Sequence, residues 1–503
     1  MSKNDILLGI DFGTGGCKIT AIDTSGTIRD DISIEYKTYF EHPGWSEQVP
    51  QSWYDAMCTG LKKLADRGLR LEDTVALAFD GSTHNAVLLD DAMHPIRRTI
   101  MWTDQRSVEE CAYLEEHFGK EIFAVTYQSP SPTWTLPQLM WLKKHEPEMA
   151  EKTKHILFVK DYVRYCVTGV CATDYIEAQG TLFYDMRQNN WSEQLFALTG
   201  FSKEALPKRI KPTDFAGRVT AQAAFDTGIP EGTPVICGTS DSAAEDYGAG
   251  AIEPGNCIIK LATAGNVNIM TSKAVPHPKT LTYSHVVEGM YYSVSATNAA
   301  ALCQRWFRDN FCKMEIVEAK KLGISAFELI GKEAAKSTLG ANGVMFHPYL
   351  QGERSPYWDA NLRASFTGIS IKNDKSDFIR ALLEGVVFSL LDCYGTLKEM
   401  NLDVNKIFLI GGGAKSKIWS QMVADVFERP VSISRPGDAS FGTALIAGVG
   451  AKIFPDCKSA VRNSLKIDRE VTPILENSKQ YRKMFQQYRA VHDAMAKIYS
   501  KKF

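Results

Sequence analysis

Residues 6–23 constrain the fold more than any other stretch of the chain. Ile6 to Ile10 form an apolar run, Asp11 to Gly16 a small-residue turn, and Ile19, Ala21 and Ile22 a second apolar run closed by Asp23. The pattern predicts a β-hairpin in which Gly13, Gly15 and Gly16 are free to take positive φ. A carboxylate closing a buried strand beside such a turn can face a metal ion while exposed backbone N–H groups cradle phosphate oxygens. An ordinary glycine-rich hairpin uses the same residues. The spacing excludes two other phosphate-binding designs, since it is not GxxxxGK[ST] and its glycines do not open a helix as a dinucleotide fingerprint requires.

The pattern returns in the second half, where Cys257 to Leu261 runs into Ala262-Thr263-Ala264-Gly265-Asn266. Between and after the two hairpins, the spacing of Trp53, Met57, Leu61 and Leu64 predicts a helix from near Gln51, and Thr74 to Phe79 a buried strand. Ser376 is placed to cap a helix carrying Phe378, Leu382, Val386 and Leu390, and Val404 to Ile410 reads as a strand ending in Gly411-Gly412-Gly413. Alternating strands and helices imply an α/β architecture with covered sheets. At 503 residues the chain exceeds the ~250 to 300 at which one core stops growing. The Gly-, Ala- and Pro-rich stretch at 238–256 then sets the expected domains at 1–248 and 249–503, with a ligand cleft between them.

Fifty-seven basic against fifty-nine acidic side chains give a formal charge of −2, which offers no broad attraction to nucleic acid or anionic lipid. The apolar run before Asp11 is too short for a signal peptide or a membrane span and is expected to be a buried first strand. Eleven scattered cysteines without a CxxC pair signal neither a disulfide framework nor a zinc site, which fits a reducing cytoplasm. Cys166 and Cys171 read as packed side chains.

Four further segments carry candidate chemistry. Asp241 follows the strand-like run Val235 to Cys237, where a carboxylate could orient a nucleophilic hydroxyl and accept its proton; it could equally cap a helix starting at Ser242. Glu245 and Asp246 read as helix-surface carboxylates. The donors and acceptors of Asp80 to Asn85, Thr83 and His84 among them, suit a polyhydroxylated ligand or a solvated turn. Asp104 is either a sugar ligand or the partner of Arg106 in a structural salt bridge. The turn from Gly411 to Ser416 would let backbone approach a flat ligand closely, or simply join strand to helix.

The segment DFGTGG at 11–16 resembles the first phosphate-binding hairpin of the actin-like ATPase superfamily, and particularly of FGGY carbohydrate kinases. HPGWSEQVPQSWYDAM at 42–57, IMWTDQRS at 100–107, KDYVRYCVTG at 160–169, PYLQGERSPYWDANLRASF at 348–366 and GGGAKSKIWSQMVADVFERPV at 411–431 resemble segments of that family in its own order. The resemblance implies two actin-like (ribonuclease H-like) α/β domains with an interdomain catalytic cleft that closes to exclude water, sugar held mainly by the first and nucleotide by the second. It implies ATP and Mg2+ as cofactors, Asp11 near the metal, phosphates at Thr14, Gly15, Gly16, Lys18, Thr263 and Gly265, and adenosine at Gly412, Gly413 and Ser416. Asp241 would be the general base, and Thr83, His84 and Asp104, with Asp241, the sugar contacts. The segments look closest to xylulokinase-type pentulose kinases, with ribulose, gluconate, a tetritol or glycerol as alternative acceptors. Partners are then a small sugar or polyol, with no nucleic acid and no membrane, and homodimerisation left open. Gln138, Ala364 and the Ala262-Thr263-Ala264-Gly265 turn depart from the family pattern. The competing class is a non-enzymatic actin-like nucleotide-binding regulator or assembly protein.

Overall fold

The first hairpin forms, with strands longer than the apolar runs suggest. Ile6–Gly13 pairs antiparallel with Gly16–Asp23, so Asp11 lies inside the ladder opposite Lys18 and the turn shrinks to Thr14 and Gly15. In this computed structural model, which describes residues 4–500, none of Gly13, Gly15 and Gly16 takes the positive φ expected of it. Gly16 is required for another reason: a Cβ there would stand 2.7 Å from the Ile34 carbonyl oxygen of the neighbouring strand. Residues 1–3 and 501–503, with which the expected domains begin and end, lie outside the described residues.

The chain does not divide at a single cut. One compact unit takes the residues up to Ile252 together with Tyr283–Met290 and Pro436–Leu465; the other takes Glu253–Thr282, Tyr291–Arg435 and the residues from Lys466 onward. The late segment returns to the first unit because its helix, Ala439–Gly450, is built from small residues that let backbones approach. A Cβ on Gly9 would lie 1.9 Å from the Ser440 carbonyl oxygen, and one on Gly442 would lie 2.0 Å from that of Ala244.

The two sheets share one plan. In the first unit the strands Ile28–Glu35, Gly16–Asp23 and Ile6–Gly13 are antiparallel, Thr74–Gly81 and Pro234–Ser240 continue in parallel, and Phe215–Arg218 closes the edge antiparallel. In the second unit Tyr291–Thr297, Gly265–Thr271 and Asn256–Leu261 are antiparallel, Lys406–Ile410 and Val431–Arg435 continue in parallel, and Lys466–Val471 closes the edge antiparallel. This is the α/β plan of two actin-like domains.

Each sheet has its own core. In the first unit the helix Gln51–Asp66 buries Trp53, Met57, Leu61 and Leu64 against Phe12 and Phe79. The second unit is centred on the helix Lys375–Glu399, which buries Leu382, Val386 and Leu390. Its cap is Asp374, not Ser376: the Asp374 carboxylate accepts the Ser376 N–H at 2.8 Å and Asp377 completes a capping box. A carboxylate at the residue before the first turn reaches these N–H groups better than a hydroxyl one turn position later.

Candidate active site

The parallel register of Ile6–Gly13 and Thr74–Gly81 sets Asp11 beside Asp80. Asp80 is fully buried and accepts a hydrogen bond from the Thr443 hydroxyl. Two neighbouring carboxyls in a buried site each disfavour the other's ionised form. Burial, then the charge of Asp11, pushes Asp80 well above the usual carboxylate range. Burial raises Asp11 to about 7, with Asp241, Asp438 and Glu245 adding to the rise and the hydrogen bond with Asp80 opposing it. Asp11 Oδ1 is buried and has no hydrogen-bond partner among the described residues.

The turn beyond Asp11 is held from three sides. Tyr36 donates to the Gly13 carbonyl, Gln48 Nε2 to the Thr14 carbonyl at 2.8 Å, and Trp102 Nε1 to Thr14 Oγ1 at 3.0 Å. Lys18, expected at the phosphates, is engaged by Asp438, with Asp31 at 3.8 Å. Burial pulls the Lys18 ammonium down, but Asp438 outweighs it and the net displacement is upward. Asp438 also caps the Ala439–Gly450 helix through the Phe441 N–H at 3.1 Å.

Asp241 is the first residue of the helix Asp241–Gly248, whose cap is Ser240. Its Oδ1 accepts from the Ser242 N–H at 2.7 Å and from Thr83 Oγ1 at 3.2 Å. The structure thus brings the base candidate and one sugar candidate together. Asp246, read as a surface carboxylate, is 1 % exposed.

His84 has φ of 56° and lies 4.8 Å from the Trp134 ring, with Gly180 packed so closely that a Cβ there would stand 2.8 Å from both His84 Cδ2 and Thr83 Cγ2. Burial lowers the imidazole from its ordinary value to about 3. A histidine kept neutral in the fold and charged when unfolded costs stability as pH falls below the ordinary value near 6.5, and costs nothing at neutral pH or above. The stability of His84→Gln relative to the natural protein should therefore rise by about 2 kcal/mol between pH 7 and pH 5. Denaturant unfolding of both proteins at the two pH values checks this, and parallel pH dependence would contradict it.

Asp104 forms the salt bridge with Arg106 that is one of its two readings. It is fully buried, both oxygens accept from Arg106, at 2.9 and 2.8 Å, and Oδ2 also accepts the Ser46 N–H at 2.6 Å. The Arg106 guanidinium in turn stacks 3.7 Å over Trp45, so the WTDQR segment locks HPGWSEQ in place. Gln138, a departure from the family pattern, is 2 % exposed and bonds the Met101 and Thr133 carbonyls, each at 3.3 Å.

In the second unit, the hairpin Asn256–Leu261 and Gly265–Thr271 turns through Thr263. The Thr263 carbonyl accepts from the Ala300 and Leu302 N–H groups at 3.0 and 3.1 Å, and Thr263 Oγ1 accepts from Arg305 at 3.1 Å. Glu353, from the YLQGERSPYWD segment, accepts from Thr297 Oγ1 at 2.6 Å and from the Asn298 N–H at 2.9 Å, fixing the strand next to Gly265. Burial raises Glu353 to about 6 against these hydrogen bonds.

The glycines of the Gly411–Gly413 turn have different duties. Gly411 has φ of 86° and its Cβ would clash with the Leu261 carbonyl at 2.6 Å, while a Cβ on Gly413 would meet Leu261 Cβ at 2.6 Å and the Trp419 ring at 3.0 Å. A Cβ on Gly412 would have nothing within 4 Å. Ser416 caps the Lys417–Phe427 helix through the Trp419 N–H at 3.4 Å.

The sequence pattern did not single out Asp80 as Asp11's neighbour, or Asp438, Thr443 and Glu353 as supports. The signal available for Asp438 was an aspartate before the small-residue run ASFGTALIAG, the mark of a capped, closely packed helix. Among the described residues no group of three or more His, Cys, Asp or Glu is arranged to hold a metal by itself, and no helix is long and apolar enough to cross a membrane.

Residues 6–248 match the family model described as the N-terminal domain of the FGGY family of carbohydrate kinases, and residues 259–451 match that of its C-terminal domain. The chain is 32% identical over 493 residues to a xylulose kinase of Staphylococcus epidermidis, covering 97% of this chain and 96% of that protein. It is 28% identical over 480 residues to a gluconokinase of Bacillus subtilis, covering 95% and 93%. The crystal structure of xylulose kinase from Rhodospirillum rubrum superposes with a TM-score of 0.88 at 25% identity, covering 99% of this chain and all of that one.

Proposed function

Because the chain belongs to the FGGY family of carbohydrate kinases, we propose that it transfers the γ-phosphoryl group of ATP to a hydroxyl of a ketopentose such as xylulose. The observation that carries this reading is the bond between Thr83 and Asp241, which joins the base candidate to the turn bearing His84. A sugar hydroxyl seated there by Thr83 and His84 gives its proton to Asp241 as its oxygen bonds the γ-phosphorus, and the bond from that phosphorus to the bridging oxygen of ADP breaks.

The turn at Thr14, Gly15 and Gly16 supports a phosphate-binding role by its small residues, with Gly15 exposed and the other two half-buried, and Lys18 serves it as the countercharge of Asp438. In the second unit Thr263 and Gly265 are assigned to phosphate, and Gly412, Gly413 and Ser416 to the adenosine side. The unpartnered, buried Asp11 Oδ1 amid Asp241, Asp438 and Glu245 fits a divalent cation whose other ligands are water and phosphate oxygens. Magnesium, when bound, would neutralise charge on the phosphates. Eleven free thiols suit a reducing compartment, and we place the reaction in the cytoplasm.

The likeness to a gluconokinase keeps acidic sugars among the acceptors to be tried. ADP release measured across ketopentoses, gluconate, tetritols and glycerol tests the proposal: release should require an acceptor and be fastest with a ketopentose. Release independent of every acceptor would reject it.

The adenosine assignment has its own test. Gly412→Val should fold as the natural protein does, because its side chain enters open space, yet bind ATP at least ~10-fold more weakly by filling the surface the base would touch. Calorimetry on the folded variant decides, and unchanged ATP affinity would remove Gly412 from the nucleotide site.

A further inference from the structure

Glu177 is 1 % exposed and its Oε1 accepts the His84 N–H at 2.5 Å. From the other side Thr135 Oγ1 donates to the His84 carbonyl at 2.6 Å. Both backbone polar groups of the residue are clamped, and this holds His84 at φ of 56°, a conformation side chains rarely adopt.

The five-residue helix that carries Glu177, Tyr175–Gln179, is itself fixed at both ends. At its start, Asp174 Oδ1 accepts from the Ile176 and Glu177 N–H groups at 2.9 and 3.2 Å and from Thr239 Oγ1 at 3.0 Å. Thr239 lies on the strand Pro234–Ser240, which delivers Asp241. At its end, Gln179 exchanges two hydrogen bonds of 2.8 Å with Ser284, and Gly180 then packs on Thr83 and His84.

Beneath the helix, Lys160 lies 2.6 Å from Asp161 and 2.9 Å from Asp174, and Arg164 lies 2.9 Å from Asp161, all with fully buried side chains. Those charges balance without Glu177. Burial, with Asp161 and Asp174 adding to it, pushes the Glu177 carboxyl well up, against the pull of Lys160 and the His84 N–H. A carboxyl kept neutral there has the shape and charge of a glutamine amide, which makes the Gln variant a fair conservative control.

We infer that Glu177 is a positioning residue for sugar recognition: through the His84 peptide it sets the direction in which the imidazole meets the substrate, from a short helix that Asp174 ties to the strand carrying Asp241. The inference rests on the reading of Thr83 and His84 as sugar contacts.

Steady-state kinetics with D-xylulose, or the best acceptor of the panel, separates a positioning role from a merely structural one. Glu177→Gln, which keeps the acceptor oxygen, should hold the sugar KM within about twofold of the natural value. Glu177→Ala, and Glu177→Asp, whose shorter arm falls short of the His84 N–H, should raise it about tenfold or more with the ATP KM unchanged. In a His84→Ala background, Glu177→Ala should add less than about twofold, since the group it positions is gone. A normal sugar KM in folded Glu177→Ala or Glu177→Asp overturns the inference, as does a Gln variant as impaired as the Asp one or full additivity with His84→Ala. If the Ala variant fails to fold, the Asp and Gln pair decides. Should His84→Ala alone leave every sugar KM in place, the recognition reading itself fails; a His84 effect without a Glu177 effect rejects only the positioning role.

Discussion

Asp241→Asn should lower kcat by ~100- to 10,000-fold, the usual worth of a general base, while both ligands still bind. The carboxylate opens a helix and accepts from Thr83 and from the Ser242 N–H. Its orientation is therefore set by donors that an asparagine oxygen also satisfies. The amide keeps the shape and loses only the ability to take the hydroxyl proton. Calorimetry with sugar and with ATP must accompany the rate, since misfolding would mimic the loss. Near-normal turnover by a folded, ligand-binding variant would make Asp241 an ordinary helix-start residue and pass the base role to Asp11. Asp104 could not inherit it, being buried under Arg106.

The largest stability effect is expected at Gly9→Val. A Cβ on Gly9 would stand 1.9 Å from the Ser440 carbonyl oxygen and 2.4 Å from the Ala444 nitrogen, both helix backbone that cannot turn aside. Either the Ala439–Gly450 helix moves off the sheet or the strand bearing Asp11 shifts, at a cost on the order of 4 kcal/mol. Loss of that helix also removes Thr443 from Asp80 and Asp438 from Lys18, so surviving protein should lose activity along with stability. Gly15→Ala is the control: its Cβ meets nothing within 4 Å, and its melting temperature should stay close to that of the natural chain. Equal melting temperatures for the Gly9 and Gly15 variants would show that the late segment does not hold the first strand as described.

What could be read from the chain beforehand was local. Apolar runs flanking small residues marked both hairpins, and the spacing of Trp53, Met57, Leu61 and Leu64 marked the first long helix, because period and turn chemistry act between near neighbours. Glycines were opaque where the constraint was distant: Gly16, read for its freedom to take positive φ, is needed for the approach of Ile34, and Gly9, which no local pattern singled out, for that of Ser440. The carboxyl pair of Asp11 and Asp80 depends on the register of two parallel strands, which no local pattern states. Asp104 carried two readings in the sequence, and the salt bridge became visible only with the placement of Arg106 and the Ser46 N–H. The return of Pro436–Leu465 to the first unit was equally beyond local reading, since a small-residue helix announces close packing without naming its partner.

The central claim is that this chain moves phosphate from ATP to a sugar oxygen. Phosphorus NMR of the protein with magnesium ATP and D-xylulose, followed over time and repeated with the other acceptors, tests it most directly. The account predicts a new phosphomonoester resonance growing in step with ADP, absent without sugar and all but absent with Asp241→Asn. Growth of inorganic phosphate alone, at a rate no sugar changes, would contradict it.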